Sequence, residues 1–148
     1  MSSSSYLTGS RVPKPNHNLV SEYLQSGIPY VTSSHAMALN EVAQVSFPTV
    51  SRWFIIHNNR PSGGSHKISF GFTQNGVNAV ETNNSYTLHA GEQTSRMEIK
   101  SKDVFVKSLH ADSTFCIIAG LTGVPADSFP TLTGSLEENG VKVLPGVG

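Results

Sequence analysis

Eight short apolar segments, separated by clusters of Gly, Asn and Pro, fill the middle of this chain. They cover residues 30–39, 43–47, 50–58, 66–73, 86–90, 95–99, 104–109 and 114–121. All are rich in Val, Ile, Phe, Thr and Tyr, whose branched or flat side chains fit a pleated surface. No window of eleven or more residues carries a 3.6-residue apolar period, so helix is expected to be nearly absent.

Successive side chains on a strand point to opposite faces, so the alternation assigns sides. In HKISFGFT, Ile68, Phe70 and Phe72 face one way and Lys67, Ser69, Gly71 and Thr73 the other. Tyr86, Leu88 and Ala90 are read as inward, opposite Thr87 and His89. Met97 and Ile99 oppose Arg96, Glu98 and Lys100. Phe115, Ile117, Ala119 and Leu121 share a side, with Cys116 and Ile118 on the other. The run Trp53–Phe54–Ile55–Ile56 is apolar on both faces, which places it mid-sheet with its outer side covered. Asn75–Gly76 reads as a type I′ hairpin turn, because both central positions of that turn need φ > 0. One-sided burial and short connections imply antiparallel sheets packed face to face.

A jelly roll, an immunoglobulin-like sandwich and an up-and-down barrel all satisfy this pattern. The immunoglobulin Cys–Trp–Cys signature is absent, and the expected fold is an all-β, eight-stranded antiparallel jelly-roll sandwich over residues 28–121. Residues 1–27, with Pro13 and Pro15, read as an extended N-terminal arm that has room for a helical turn at 19–24. Residues 122–148, with Pro125, Pro130 and Pro145, read as a C-terminal arm with one strand-like piece at 141–144.

The size and charge remove several classes of function. At 148 residues the chain is one domain's worth. Size scaling gives a folded surface of about 7,300 Å² against roughly 22,900 Å² unfolded, enough burial for a core without staples. Ten basic residues balance ten acidic ones, so no long-range field attracts a phosphate backbone, and direct nucleic-acid binding is not expected. Arg11 and Lys14 alone make a weak tether for genome packaging. The single cysteine, Cys116, excludes an internal disulfide or a zinc-thiolate cluster. No apolar run reaches the length of a membrane span, and the first residues carry no secretory pattern.

Catalytic patterns are equally scarce. Six histidines, His17, His35, His57, His66, His89 and His110, include no His-x-His pair of the cupin type. His57 and His66 flank a loop and could meet across it, but lack an evident third ligand. Cys116 sits in the apolar run FCIIAGL, which suits a buried, unreactive thiol. No Gly-x-Ser-x-Gly elbow occurs, and Glu81, Glu92, Glu98 and Asp103 lie on separate segments. Asn83–Asn84–Ser85 has the form of a glycosylation sequon and reads as a polar turn. No enzyme activity, cofactor or metal is expected. Surface contact remains, with Trp53, its neighbour Arg52, and the Asn75–Gly76 pair as candidate assembly residues.

The span from 50 to 121 resembles the single jelly-roll penton proteins of large icosahedral double-stranded DNA viruses. The resemblance rests on SRWFIIHN at 51–58, FGFTQNGV at 70–77, SYTLHAGE at 85–92 and RMEIKSKDVFVKS at 96–108. It implies a homopentamer at the five-fold vertices of a capsid shell, bordered by major capsid capsomers and minor capsid proteins, in the virion. It brings no catalytic residues. One jelly roll rather than two fits the vertex and not the major capsomer. The competing expectations are a carbohydrate-binding β-sandwich, which needs exposed aromatic platforms such as Trp53, Tyr23, Tyr30 or Tyr86, and a cupin-type metalloenzyme.

Overall fold

The structure is a computed structural model that describes residues 28–78, 84–132 and 146–147. Seven strands form two antiparallel sheets: β1 (Ile28–Ser33), β2 (Val42–Ser46), β3 (Thr49–Asn58), β4 (Ile68–Gly71), β5 (Tyr86–Leu88), β6 (Asp103–Ser108) and β7 (Phe115–Pro125). One short helix, α1 (Gln74–Asn78), and a 3₁₀ turn at Ala126–Ser128 are the helical pieces among the described residues. One sheet has the order β1-β7-β3 and the other β2-β6-β4-β5. Chain neighbours β1 and β2 therefore lie in different sheets, as do β3 and β4. The fold is an all-β sandwich.

The alternation read from the sequence accounts for the core. Phe54 and Ile56 of β3 and Phe115, Ile117, Ala119 and Leu121 of β7 come from one sheet. Val45, Ile68, Phe70, Leu88, Val104 and Val106 come from the other. Tyr30, Phe47, Phe54 and Phe72 form an aromatic chain through this layer, with successive ring centroids 5.3, 6.1 and 6.2 Å apart. Tilted and edge-on contacts of this kind add to the burial of the rings.

Polar side chains tie the layers where backbone pairing stops. Asn58 is fully buried at the end of β3, and its Nδ2 donates to the carbonyls of His66 (2.7 Å) and Leu88 (3.2 Å). Its side chain thus joins one sheet to the approach of β4 and to the end of β5. Replacing Asn58 with Leu keeps the volume but removes both of these bonds. Urea denaturation is expected to show a loss of about 2 kcal/mol; a loss below ~0.5 kcal/mol contradicts this role. Ser51 does similar work at the other end of β3, donating to the Ile99 carbonyl (2.9 Å) and accepting from the Ser101 amide (3.0 Å).

Three local expectations are corrected. Asn75–Gly76 is not a hairpin turn: both residues lie inside α1, where Thr73 Oγ1 accepts the Gly76 N–H at 2.9 Å and caps the first turn. Glycine is needed there because a Cβ would fall 2.3 Å from the Val147 carbonyl oxygen. Residues 95–99 do not form a strand. Instead the chain from Glu92 to Met97 runs along the free edge of β3, through bonds of Asn58 N–H to Glu92 O (2.8 Å), Thr94 N–H to Ile56 O (2.9 Å) and a reciprocal Phe54–Met97 pair. At Ile56 the amide donates to the Thr94 hydroxyl rather than to a carbonyl, which interrupts the ladder. Tyr86, read as inward, is 64% exposed, while Leu88 and Ala90 on the same face are buried.

The ordered sandwich passes the expected boundary at 121. β7 continues to Pro125, opposite Thr49, and Lys102 Nζ donates to Phe129 O (3.1 Å) and Thr131 Oγ1 (2.8 Å). The expected N-terminal arm, its helical turn and the piece at 141–144 lie outside the described residues.

Candidate assembly face

The outer side of the β1-β7-β3 sheet is built from the residues that alternate with the core. Register places Pro29, Gly120 and Trp53 in one row, Val31, Ile118 and Ile55 in the next, and Ser33, Cys116 and His57 in the third. The middle row is wholly aliphatic, and Val31 is 68% and Ile118 45% exposed. Trp53 and Ile55 are half-buried. The outer side of β3, read as covered because its sequence is apolar on both faces, thus belongs to a partly open apolar face.

One rim carries a group of paired charges. Glu98 pairs with both Arg52 and Arg96, and the Arg96 guanidinium lies 5.7 Å from the Trp53 ring centroid. These are surface pairs, worth at most ~1 kcal/mol each. Their effect is to fix the rim and cover one edge of the tryptophan. Arg52 and Trp53 therefore belong to this face. Asn75 is exposed on α1 and Gly76 is buried there. That helix packs on β4, β6 and β2 of the other sheet, so the four candidate residues do not converge.

The histidines pair differently from the sequence expectation. His66 meets His110 edge to face, with ring centroids 4.6 Å apart, and His57 Nδ1 lies 3.7 Å from Cys116 Sγ. Among the described residues no group of three or more His, Cys, Asp or Glu side chains could hold a metal ion. Cys116 is half-buried rather than buried, and desolvation pushes its thiol pKa up. An activated nucleophile requires the opposite shift.

At the 89–92 turn, the His89 N–H donates to the Glu92 carboxylate at 2.8 Å and the ring Nδ1 lies 3.2 Å away. The bond from the amide is the main reason that the Glu92 pKa lies below its ordinary 4.5. A depressed carboxylate stabilises the turn above the ordinary value, and that contribution disappears as pH falls through the lowered native value. In an NMR titration the His89 amide should shift with a midpoint below 4.5; a midpoint at or above that value contradicts the assignment.

A hollow of ≈ 150 Å³ on the other sheet is lined by Gln44, Phe72, Lys102, Asp103, Phe105 and Phe129 among others. Its charged groups are used internally. Asp103 Oδ1 accepts from Ser46 (2.7 Å) and Gln44 (3.2 Å), and Lys102 holds the segment at 129–131. This hollow is where the chain docks its own continuation.

Comparison with protein-family models, curated proteins and solved structures returns no match. Among the described residues no helix is long and apolar enough to cross a membrane.

Proposed function

We propose that this chain is a non-enzymatic structural capsid protein, a single jelly roll that forms homopentamers at the vertices of an icosahedral double-stranded DNA virus shell. Its neighbours would be copies of itself and the surrounding major and minor capsid proteins. The observation that carries the reading is the aliphatic row Val31–Ile118–Ile55 on the outer face of a sandwich, in a chain with no net charge. A contiguous apolar patch rimmed by polar groups is a mark of protein contact.

The strand order supports the finer fold. With residues 92–97 bonded along β3, four chain segments in the order β1, β7, β3 and 92–97 face the four of β2-β6-β4-β5. That interleaving of early and late strands across two layers is what a jelly roll would require. The sandwich also has two unlike flanks, β1 with β2 and β5 with 92–97. A closed ring requires unlike surfaces to meet, since each copy must offer one to either side.

A second copy suits the face because its centre is uncharged and its rim carries both signs, so identical molecules do not repel there. Three strands by three rows cover about 14 by 20 Å, or roughly 280 Å². One side of a stable interface buries ~800 Å². Rim and loop residues must therefore contribute the rest. Negative-stain microscopy of the purified chain tests the reading. Rings with five-fold symmetry are expected; isolated single copies at every concentration oppose it.

A further inference from the structure

We propose that the wedge between β5 and residues 93–97 is a binding site for one residue of an uncharged carbohydrate. The wedge opens at the flank where the two sheets part and has a volume of ≈ 270 Å³. Its lining is Phe70, Tyr86, Gln93, Thr94, Ser95 and Met97, with no ionisable acid or base among them except the phenol.

The parts match what a sugar needs. A pyranose presents a flat patch of C–H groups on one side and a ring of hydroxyls around its edge. Tyr86 supplies an aromatic surface for the first: it is 64% exposed, and Phe70, 5.7 Å away between centroids, supports it from within the sandwich. Gln93 and Ser95 are exposed, and their side chains form no hydrogen bond with other described residues, so amide and hydroxyl are available to the second. Thr94 Oγ1 accepts the Ile56 N–H and keeps its own O–H to donate. The backbone of 92–97 is bonded to β3, which fixes the positions from which the three polar side chains extend before any ligand arrives.

Charge and size narrow the class. Arg96, between two residues of the lining, is drawn to Trp53 on the outer face and so is not directed into the wedge. A nucleotide or a phosphorylated sugar would bring its phosphate to a site with no cation among its described lining residues. Pockets for drug-sized ligands begin near ~300 Å³, so this one suits a single ring rather than a chain of them. The hollow on the other sheet differs in carrying a lysine and an aspartate, both held by the protein itself. The wedge lies on the flank of β5 and 92–97 and includes none of the outer apolar row, so glycoside binding and the loss of assembly on Ile118→Asp are separate readouts.

Saturation-transfer NMR on the full chain tests it, using the methyl glycosides of glucose, galactose, mannose and N-acetylglucosamine, with sialic acid as the charged comparison. At least one neutral glycoside is expected to bind, with amide shifts centred on residues 86 and 93–95. Tyr86→Ala should weaken that binding by about fivefold or more. Gln93→Ala, an exposed change that spares the aromatic pair, should weaken it too, and Gln44→Ala in the other hollow should leave it unchanged. Binding of none of the four glycosides overturns the proposal. So does binding that survives both Tyr86→Ala and Gln93→Ala, or a preference for sialic acid.

Discussion

Ile118→Asp is expected to dissolve the assembled form into single copies while the fold persists. Ile118 lies on the central strand of its sheet, between Val31 and Ile55 in register, and is 45% exposed in the single chain. Within the sandwich the change removes little packing. Its cost to the fold is that of placing aspartate in a strand, about 1 kcal/mol or less. In an interface the same carboxylate would sit in the aliphatic row with no cation facing it. An unpaired charge buried in a contact costs at least ~3 kcal/mol, which is a loss of more than about a hundredfold in affinity. Val31→Asp, one strand away, should act in the same direction. Mass photometry reads the result, and circular dichroism establishes that the monomer is still folded. If Ile118→Asp assembles as well as the unmodified chain, the outer face is not the contact.

Phe54→Ala should have the largest effect on the fold itself. Phe54 is 0% exposed and lies between Phe47 and Phe72 in the aromatic chain. Its backbone is bonded reciprocally to Met97, so the ring anchors the strand to which the 92–97 edge is attached. Truncation removes the burial of a whole ring and leaves a cavity that two opposed sheets cannot easily close. The expected cost is ~4 kcal/mol. Domains of this size have ~5–15 kcal/mol in all, so the variant keeps a fraction of its stability and melts about 15 °C lower. A decrease of less than ~5 °C would mean that the core repacks around the gap, contrary to a ring held on both sides.

The two effects lie on opposite faces of one sheet, and β3 carries both faces. Phe54 and Ile56 point inward, Trp53 and Ile55 outward, and the sequence shows this directly as an uninterrupted apolar run. What the run cannot show is which strand lies beside it. The outer row depends on β1, β7 and β3 being neighbours, although Val31 and Ile118 are distant in the chain. That pairing arises from tertiary structure and leaves no local signal.

Alternation was most informative where both sheets overlap. In the segments around Ile68, Phe70 and Ile117 the period of two gives the buried side correctly. It fails at Tyr86 because the period states only which face a residue is on. Whether the opposite sheet extends far enough to cover that face is a separate matter, and at Tyr86 it does not. Asn75–Gly76 failed for a different reason. The pair is a hairpin signal when two strands must turn at once, yet here the chain leaves β4 and returns only at β5. Thr73 caps a helical turn in between, and Gly76 is set by the close approach of the Val147 carbonyl. At residues 95–99 the apolar pattern holds for Met97, which packs against the core, and fails for Ile99, which is 38% exposed; Thr94 also breaks the regular ladder along β3. The neutral wedge was hidden by the same misreading that turned Tyr86 inward.

Sedimentation velocity of the purified chain over a range of concentrations tests the central claim most directly. The account predicts a species near five times the 15.8 kDa chain, lost on Ile118→Asp. A single 15.8 kDa species at every concentration, identical in the two proteins, would contradict it.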